Sequence, residues 1–319
     1  MGTKIRASGA DVSFKGVFET TEGTSPTTGY FSLPFNTHGL GEERPLESDD
    51  PILGQGREAQ DPSYGDVTVN GAIKMPFDLR NSGFWLKGLL GAPVTTGTGT
   101  YTHTFNSTLS VLPSLSLEIG HPQLSSPKFY SHAGAKLGDC EIGLSRSGGV
   151  QATINAIARK EVQASSSLDA SPTALAFRKF MRGNGSVTVG GSSFEIMSGT
   201  LKFSNGLEAY APITPDGAIS GVDEGDFTAS GQLVVRFGTN NTIESAIDAE
   251  TPLAFSFGWT IPSTSYSLTF NLPRVFLPKK KKEVSGPRGV DISYDWQCAR
   301  DATEGFLLEA VLINDVASY

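Results

Sequence analysis

Apolar and polar positions alternate most regularly between Gly225 and Gly238, in GDFTASGQLVVRFG. Phe227, Ala229, Gly231, Leu233, Val235 and Phe237 take the apolar or small positions, with Thr228, Ser230, Gln232 and Arg236 among those between. A period of two predicts a half-buried β-strand. The stretch from Gly65 to Asp78, GDVTVNGAIKMPFD, holds the same phase through Val67, Val69, Gly71, Ile73, Met75 and Phe77. Both stretches begin with Gly-Asp, carry Gly at the same central step and close on Phe. The pair predicts an internal repeat.

The neighbours of the two strands match in the same order. Asn81 to Gly91 is dense in Phe84, Trp85, Leu86, Leu89 and Leu90, and Asn240 to Glu250 spaces Ile243, Ala246 and Ile247 as a helix does. Each predicts a short helix packed by one face. Leu115-x-Leu117-x-Ile119-Gly120 then stands against Leu253-x-Phe255-x-Phe257-Gly258. Gly149-Val150 opens a strand ending in Ala158-Arg159, and Gly289-Val290 opens one ending in Ala299-Arg300. The second is one residue longer, which predicts a bulge or a shifted end. The first copy holds surplus residues between Ala92 and Pro113, rich in Thr and Gly, which read as an extra hairpin. Surface connections tolerate such insertions.

The fold class expected is mainly β: two tandem β-sandwich domains, each with a short flanking helix. The first covers residues 1–164 and the second 186–319. Residues 165–185 link them, with a short helix from Thr173 to Arg182 presenting Leu175, Phe177, Phe180 and Met181. The competing reading is two unrelated β regions of one large sandwich.

Three further stretches bear on function. Phe35 to Gly65 is long, polar and broken by Gly and Pro. A structureless stretch of about thirty residues is uncommon in a compact domain and is often functional. Leu40, Leu46, Ile52 and Leu53 are its potential anchors, among Glu42, Glu43, Asp49 and Asp50. These eight residues are the candidates for contact with a neighbouring subunit or ring, and the loop is expected to order only in an assembly. Lys279 to Lys282 follows Pro278 and reads as a solvated loop tip between strands. After it, Ile292, Tyr294, Trp296 and Cys298 alternate with Asp291, Ser293, Asp295 and Gln297, giving one core face and one wet, acidic face.

Composition narrows the function. At 319 residues the chain suits two domains. Its net charge of −8 argues against a free-standing nucleic-acid binder, which needs Lys and Arg at phosphates. Met1 to Phe14 carries charges and no apolar core, and no stretch has the length of a membrane-spanning helix, so both cysteines, Cys140 and Cys298, are expected reduced in a cytosol. Gly54-x-Gly56-x-x-Ala59 has no strand before it and no helix after it, so it is no dinucleotide fingerprint. His38, His103, His121 and His132 lack metal-ligand spacing, and no nucleophile elbow or phosphate loop occurs. No catalytic residue, metal or cofactor is expected, and no pair stands out among the carboxylates.

Gly286-Pro287-Arg288-Gly289-Val290-x-Ile292-x-Tyr294-x-Trp296, followed by Ala299 and Ala302, resembles the closing strand of tail tube proteins of long-tailed bacteriophages. The Gly65 strand, Phe84-Trp85-x-x-Gly88-Leu89-Leu90-Gly91 and Leu112-Pro113-Ser114-Leu115 are similar to that family's N-terminal half, so the resemblance covers most of Gly65 to Ala302. It implies a β-sandwich whose inner sheet joins neighbours in a barrel around a lumen. A chain with two copies would close a pseudo-sixfold ring from three subunits, and stacked rings would form the tube of a non-contractile, siphovirus-like tail. The implied partners are further copies of the chain, the tape measure protein and the tail terminator. Double-stranded DNA would pass without specific binding, and no membrane is involved. The implied place is the virion, assembled in the bacterial host cytoplasm. A DNA-passing wall should be acidic or neutral, so Asp291, Ser293, Asp295, Gln297, Gln151, Thr153 and Asn155 are the candidate lumen-facing residues. The lysine run is then expected on the outside or at a ring-to-ring contact. Other readings are a tail terminator or baseplate ring, a carbohydrate-binding or adhesive β-sandwich, and a β-rich hydrolase.

Overall fold

A computed structural model describes residues 4–48, 51–54, 56, 58–284 and 286–319. It is mainly β, with two α-helices among the described residues. The strands of the first half are β1 (Ser13–Phe18), β2 (Phe31–Ser32), β3 (Thr37–His38), β4 (Gly41–Glu43), β5 (Leu46–Glu47), β6 (Ser63–Tyr64) and β7 (Thr68–Pro76), then β8 (Val94–Thr98), β9 (Thr100–Asn106), β10 (Leu115–His121), β11 (Lys128–Leu144), β12 (Gln151–Ile157) and β13 (Lys160–Ala164). After β14 (Thr173–Ala174) come β15 (Gly185–Val189), β16 (Ser192–Ser193), β17 (Ser198–Ser204), β18 (Glu208–Tyr210), β19 (Gly221–Asp223), β20 (Thr228–Arg236), β21 (Leu253–Thr260), β22 (Ser267–Phe276), β23 (Asp291–Cys298) and β24 (Glu309–Asn314). Helix α1 (Ser82–Leu90) follows β7, and α2 (Thr242–Asp248) follows β20.

The same ladder is built twice. In the first half β1 pairs with β10, β10 with β11, β11 with β12, and β12 with β7. In the second half β15, β21, β22, β23 and β20 pair in that order. The match holds residue by residue. Ile73↔Ile154 and Gly71↔Ala156 stand where Leu233↔Tyr294 and Gly231↔Trp296 stand. Even the register shifts recur, between Leu115 and Leu117 and between Leu253 and Phe255. In this register Cys298 answers Ala158, so the two strands match without a bulge and β23 runs one residue further, a shifted end.

The shared glycine has a physical cause. A Cβ at Gly71 would collide with the Gly39 carbonyl oxygen, and one at Gly231 with the Thr200 carbonyl oxygen. Close approach of the next strand therefore demands Gly at the same step in both copies.

The ladders merge into one sheet. β11 pairs with β12 on one side and, through Asp139–Leu144, with β17 on the other. β17 pairs with β20. The shared sheet thus runs β3/β4, β7, β12, β11, β17, β20, β23, β22. The N-terminal part of β11 lies instead in a flanking sheet with β1, β2, β10 and β13, and β22 does the same with β15, β21 and β24. The core fills the space between: in the second half Phe255 and Phe257 of β21 set their rings 5.9 and 6.1 Å from Trp296 of β23. The Ala92–Pro113 surplus does form a hairpin, β8–β9, and β9 pairs with β24 of the second half.

Two expectations change. Residues 35–65 are not a structureless loop: β3 and β4 pair with β7, and β5 pairs with β6. The alternation there is too short to read, because each strand holds two or three residues. The Thr173–Arg182 segment is not an α-helix; only its last residue enters a 3-10 turn, Arg182–Asn184. It is extended, with the Leu79 amide donating to the Arg178 carbonyl, the Val150 amide to the Phe180 carbonyl, and a bridge between Met181 and Gly149. Backbone groups at Asp78–Leu79 and Gly149–Val150 need partners, and a helix could not supply them. Of its four apolar residues only Phe180 is buried in the core.

Candidate assembly surface

The shared sheet has one wet face, and the ladder shows which residues it carries. A row crosses the strands through Thr37, Lys74, Thr153, Glu141, Lys202, Ser230 and Gln297. A parallel row links Thr200, Gln232 and Asp295. Side chains two apart on a strand share a face, so Gln151, Thr153 and Asn155 on β12 lie on the same face as Asp291, Ser293, Asp295 and Gln297 on β23. The residues between, Ala152, Ile154, Ala156, Ile292, Tyr294 and Trp296, are buried. The surface is mostly uncharged and polar, and it carries Lys74, Lys202 and Arg236 as well as acids. Arg236 Nε donates to Asp291 Oδ1 at 2.5 Å, and Lys202 Nζ lies 4.0 Å from Asp139. Asn155 donates to Asp139 at 3.3 Å, and Gln232 to Asp295 at 3.1 Å.

The lysine run reaches this face. Its Lys280 Nζ donates to Asp295 Oδ2 at 2.6 Å and, with help from Gln232, holds that carboxyl below the usual range. Lys279 donates to Asp248 and Lys282 pairs with Glu244, both at 2.6 Å and both on α2. The bond to Lys279 lowers the Asp248 pKa and raises that of Lys279.

The eight loop candidates separate. Leu40 is 4% exposed and belongs to the core beneath β7, so it is no outward anchor. Residues two apart on a strand point the same way, which would place Leu40 and Glu42 alike, yet Glu42 is exposed at the sheet edge. Its amide donates to Glu161 Oε2 at 3.2 Å. Glu43, Leu46, Ile52 and Leu53 are exposed. Asp49 and Asp50 lie outside the described residues.

Buried charges tie the chain together away from the wet face. Lys15 Nζ lies 3.3 Å from Glu118 and donates to the Asp169 carbonyl at 2.8 Å. Glu118 also accepts from the Leu168 amide at 2.7 Å, so residues 167–169 are pinned to the first half. Lys136 donates to Glu224 at 2.8 Å. His132 Nε2 lies 2.8 Å from Glu161 Oε2, and that bond holds the Glu161 carboxyl below its usual range. Burial pushes the Cys298 thiol up to about 11 and the Cys140 thiol higher still, so neither is a ready nucleophile. Among the described residues no three His, Cys, Asp or Glu side chains converge as metal ligands.

The family model for phage tail tube protein matches residues 9–298. The chain belongs to that family. No curated protein matches it. As a tail tube protein it is a structural component of the virion that assembles with other tail proteins. No helix among the described residues is long and apolar enough to cross a membrane.

Several wet-face residues of this tail tube protein escape sequence reading. Asp139, Glu141 and Lys202 sit on β11 and β17. β11 hides its alternation behind a register shift between Leu137 and Cys140. β22 carried a usable signal, with Leu268, Phe270 and Leu272 alternating.

Proposed function

We propose that this chain is the major tube subunit of a long, non-contractile phage tail, and that three copies close each pseudo-sixfold ring. One observation carries the reading: the chain builds one strand ladder twice and joins the two copies edge to edge through β11 and β17. That joint is heterologous, since the edge offered by the first half differs from the edge accepted by the second. Heterologous contacts generate rings when the rotation closes. The outer ends of the shared sheet, β3/β4 and β22, repeat the same two kinds of edge, and closure removes both. Each half is then one tail tube-like β-sandwich domain, residues 1–164 and 186–319 with 165–185 between.

The wet face of the shared sheet lines the lumen in this reading. Its acids and neutral side chains repel or ignore phosphate, and Lys202, Arg236 and Lys280 already face carboxylates, which leaves Lys74 as the cation of this face to meet a polyanion. Double-stranded DNA passes, preceded by the tape measure protein, and the tail terminator ends the stack. Rings have unlike upper and lower faces, so each stacks on the next, in assembly within the bacterial host cytoplasm. Glu43, Leu46, Ile52 and Leu53 stand at the ring edge, where a neighbour can cover them.

Negative-stain microscopy of the purified protein tests this. Hollow filaments of uniform width with pseudo-sixfold end views are expected. A protein found only as a monomer, or only as a single ring at one end of a particle, overturns the tube reading, and the second outcome favours a terminator or baseplate ring.

A further inference from the structure

The lysine run occupies a strand position that is empty. β11 continues past the flanking sheet, and Asp139–Leu144 pairs with β17. Its counterpart β22 stops at Phe276. The register that sets Leu117↔His132 against Phe255↔Leu272 carries Asp139–Leu144 onto Lys279–Val284. No backbone bond joins Lys279–Val284 to another backbone group among the described residues. The break before it falls at Pro278, which answers Gly138. Gly138 lies inside the register shift between Leu137 and Cys140, a bulge position where a strand tolerates Pro.

Among the described residues the complementary edge carries no further strand either, its Glu42 amide being held by the Glu161 carboxylate at 3.2 Å. β17 pairs with β20 through Ser198↔Val234 and Ser204↔Thr228, as β3 and β4 pair with β7 through Thr37↔Lys74 and Glu43↔Thr68. Thr37–Glu43 therefore answers Ser198–Ser204. β17 has β11 on its far side, whereas β3 and β4 pair with no other strand there among the described residues.

Resting on the ring reading above, we infer that Lys279–Val284 becomes a strand on the Thr37–Glu43 edge of a second copy of this chain. The pairing is antiparallel, with Lys279 opposite Glu43 and Lys280 opposite Glu42. It repeats the joint that Asp139↔Ser204 and Cys140↔Phe203 make inside the chain.

The residues fit that joint by charge. Inside the chain the core side is apolar, with Cys140 against Phe203 and Leu272 and Leu308 at the adjoining positions, all buried. At the open ends the same places hold Lys280, Glu42, His132 and Glu161. Glu161 follows from pairing: it sits opposite His132, and one step beyond Asn271↔Glu309 sets Leu308 opposite Leu272. A joint completed within the chain is never exposed. One that waits for a partner keeps Lys280 and Glu42 in water first, where opposite charges keep them soluble while selecting register; His132 and Glu161 pair with each other beneath them. Lys282 meets Leu40, and its aliphatic stem covers that side chain while the ammonium reaches the rim. In the single chain the pairs of Lys279 with Asp248 and Lys280 with Asp295 are exposed and hold weakly, while Lys282, on the half-buried Glu244 and over the Phe237 ring, is the firmer tether that pairing must replace.

Hydrogen exchange and charge reversal on the full chain test the inference. Amides of Lys279–Val284 should exchange freely in unassembled protein and gain protection in tubes. Lys279→Glu with Lys280→Glu should lower the tube yield about tenfold or more, since like charges then face Glu42 and Glu43. Circular dichroism of the unassembled variant should match wild type. Adding Glu42→Lys and Glu43→Lys to that variant should restore tubes. Wild-type tubes whose 279–284 amides stay unprotected overturn the inference, as do unchanged tubes from the lysine reversals or no recovery in the four-residue variant. Each of those outcomes leaves the ring reading standing. Wild-type protein that forms neither rings nor tubes overturns the ring reading itself.

Discussion

α1 follows β7 and α2 follows β20, at matching points of the two halves. Nearly all of α1 is buried, including Phe84, Trp85, Leu86, Leu89 and Leu90, whereas α2 buries only Ile243 and Ala246. The difference comes from what covers them. α1 packs on β11 and against β9, the inserted strand of its own half. Gly88 faces the Leu137 side chain, and Gly83 lies beneath the Tyr319 ring. Tyr319 is held there by its hydroxyl donating to the Arg80 carbonyl at 2.6 Å. No inserted hairpin separates α2 from β21. The helix offers Glu244 and Asp248 to lysines instead. The same element of a duplicated ladder can thus be a core helix or a surface helix, and its sequence follows its cover.

The comparison sets an order of effects. Trp85→Ala should cost about 3–5 kcal/mol, and Ile243→Ala about 2 kcal/mol, because large-to-small changes cost most where the surroundings cannot relax. Urea unfolding of both variants checks this. An equal loss would break the contrast between the helices.

Gly83→Ala should cost about 1–3 kcal/mol through overpacking against Tyr319. The loss should shrink in a Tyr319→Ala background, and a double-mutant cycle reads the coupling. Additive effects would show that the ring of Tyr319 is not what closes over α1.

The halves also differ in titration. Glu161 has a lowered pKa in the folded chain, through the His132 bond. An acid with a lowered folded pKa stabilises above its unfolded value and loses that contribution as pH falls through the folded value. The melting temperature should therefore fall on acidification below the ordinary glutamate range. Glu161→Gln should flatten that part of the profile. Leu308 answers Glu161 in the second half, so Leu308→Ala should lower the melting temperature without changing the shape of the profile.

The smallest effect is expected at Lys279. Its pair with Asp248 is exposed, and such pairs are screened and entropically costly. Lys279→Ala should leave the melting temperature of the unassembled chain unchanged by calorimetry. A clear loss would mean that the run is fixed to α2 rather than resting on it.

Sequence reading reached the elements whose pattern is local. β7, β20, β10, β21 and β23 alternate cleanly because one face of each meets a continuous core, and α2 spaces its apolar residues by turns, whereas α1, expected to pack by one face, is buried nearly all round. Sequence reading misses β3 and β4, which are too short for a period to register; Phe194 to Asn205 reads as a strand pair, and that stretch holds β17. It also read a helix at Thr173–Arg182, where tertiary pairing with Leu79 and Val150 overrides the apolar spacing.

By itself the sequence determined that the chain is a repeat, because each copy must bury the same alternate residues against its own core, and that constraint is written in the long strands, β7 and β20 above all. Only the tertiary structure decided where the copies join. Pairing between β11 and β17 relies on backbone groups and on registers far apart in the chain, and backbone hydrogen bonds leave no mark in side-chain pattern. For the same reason the wet face became legible as one surface only after the ladder had aligned Glu141, Lys202, Ser230 and Gln297 across four strands.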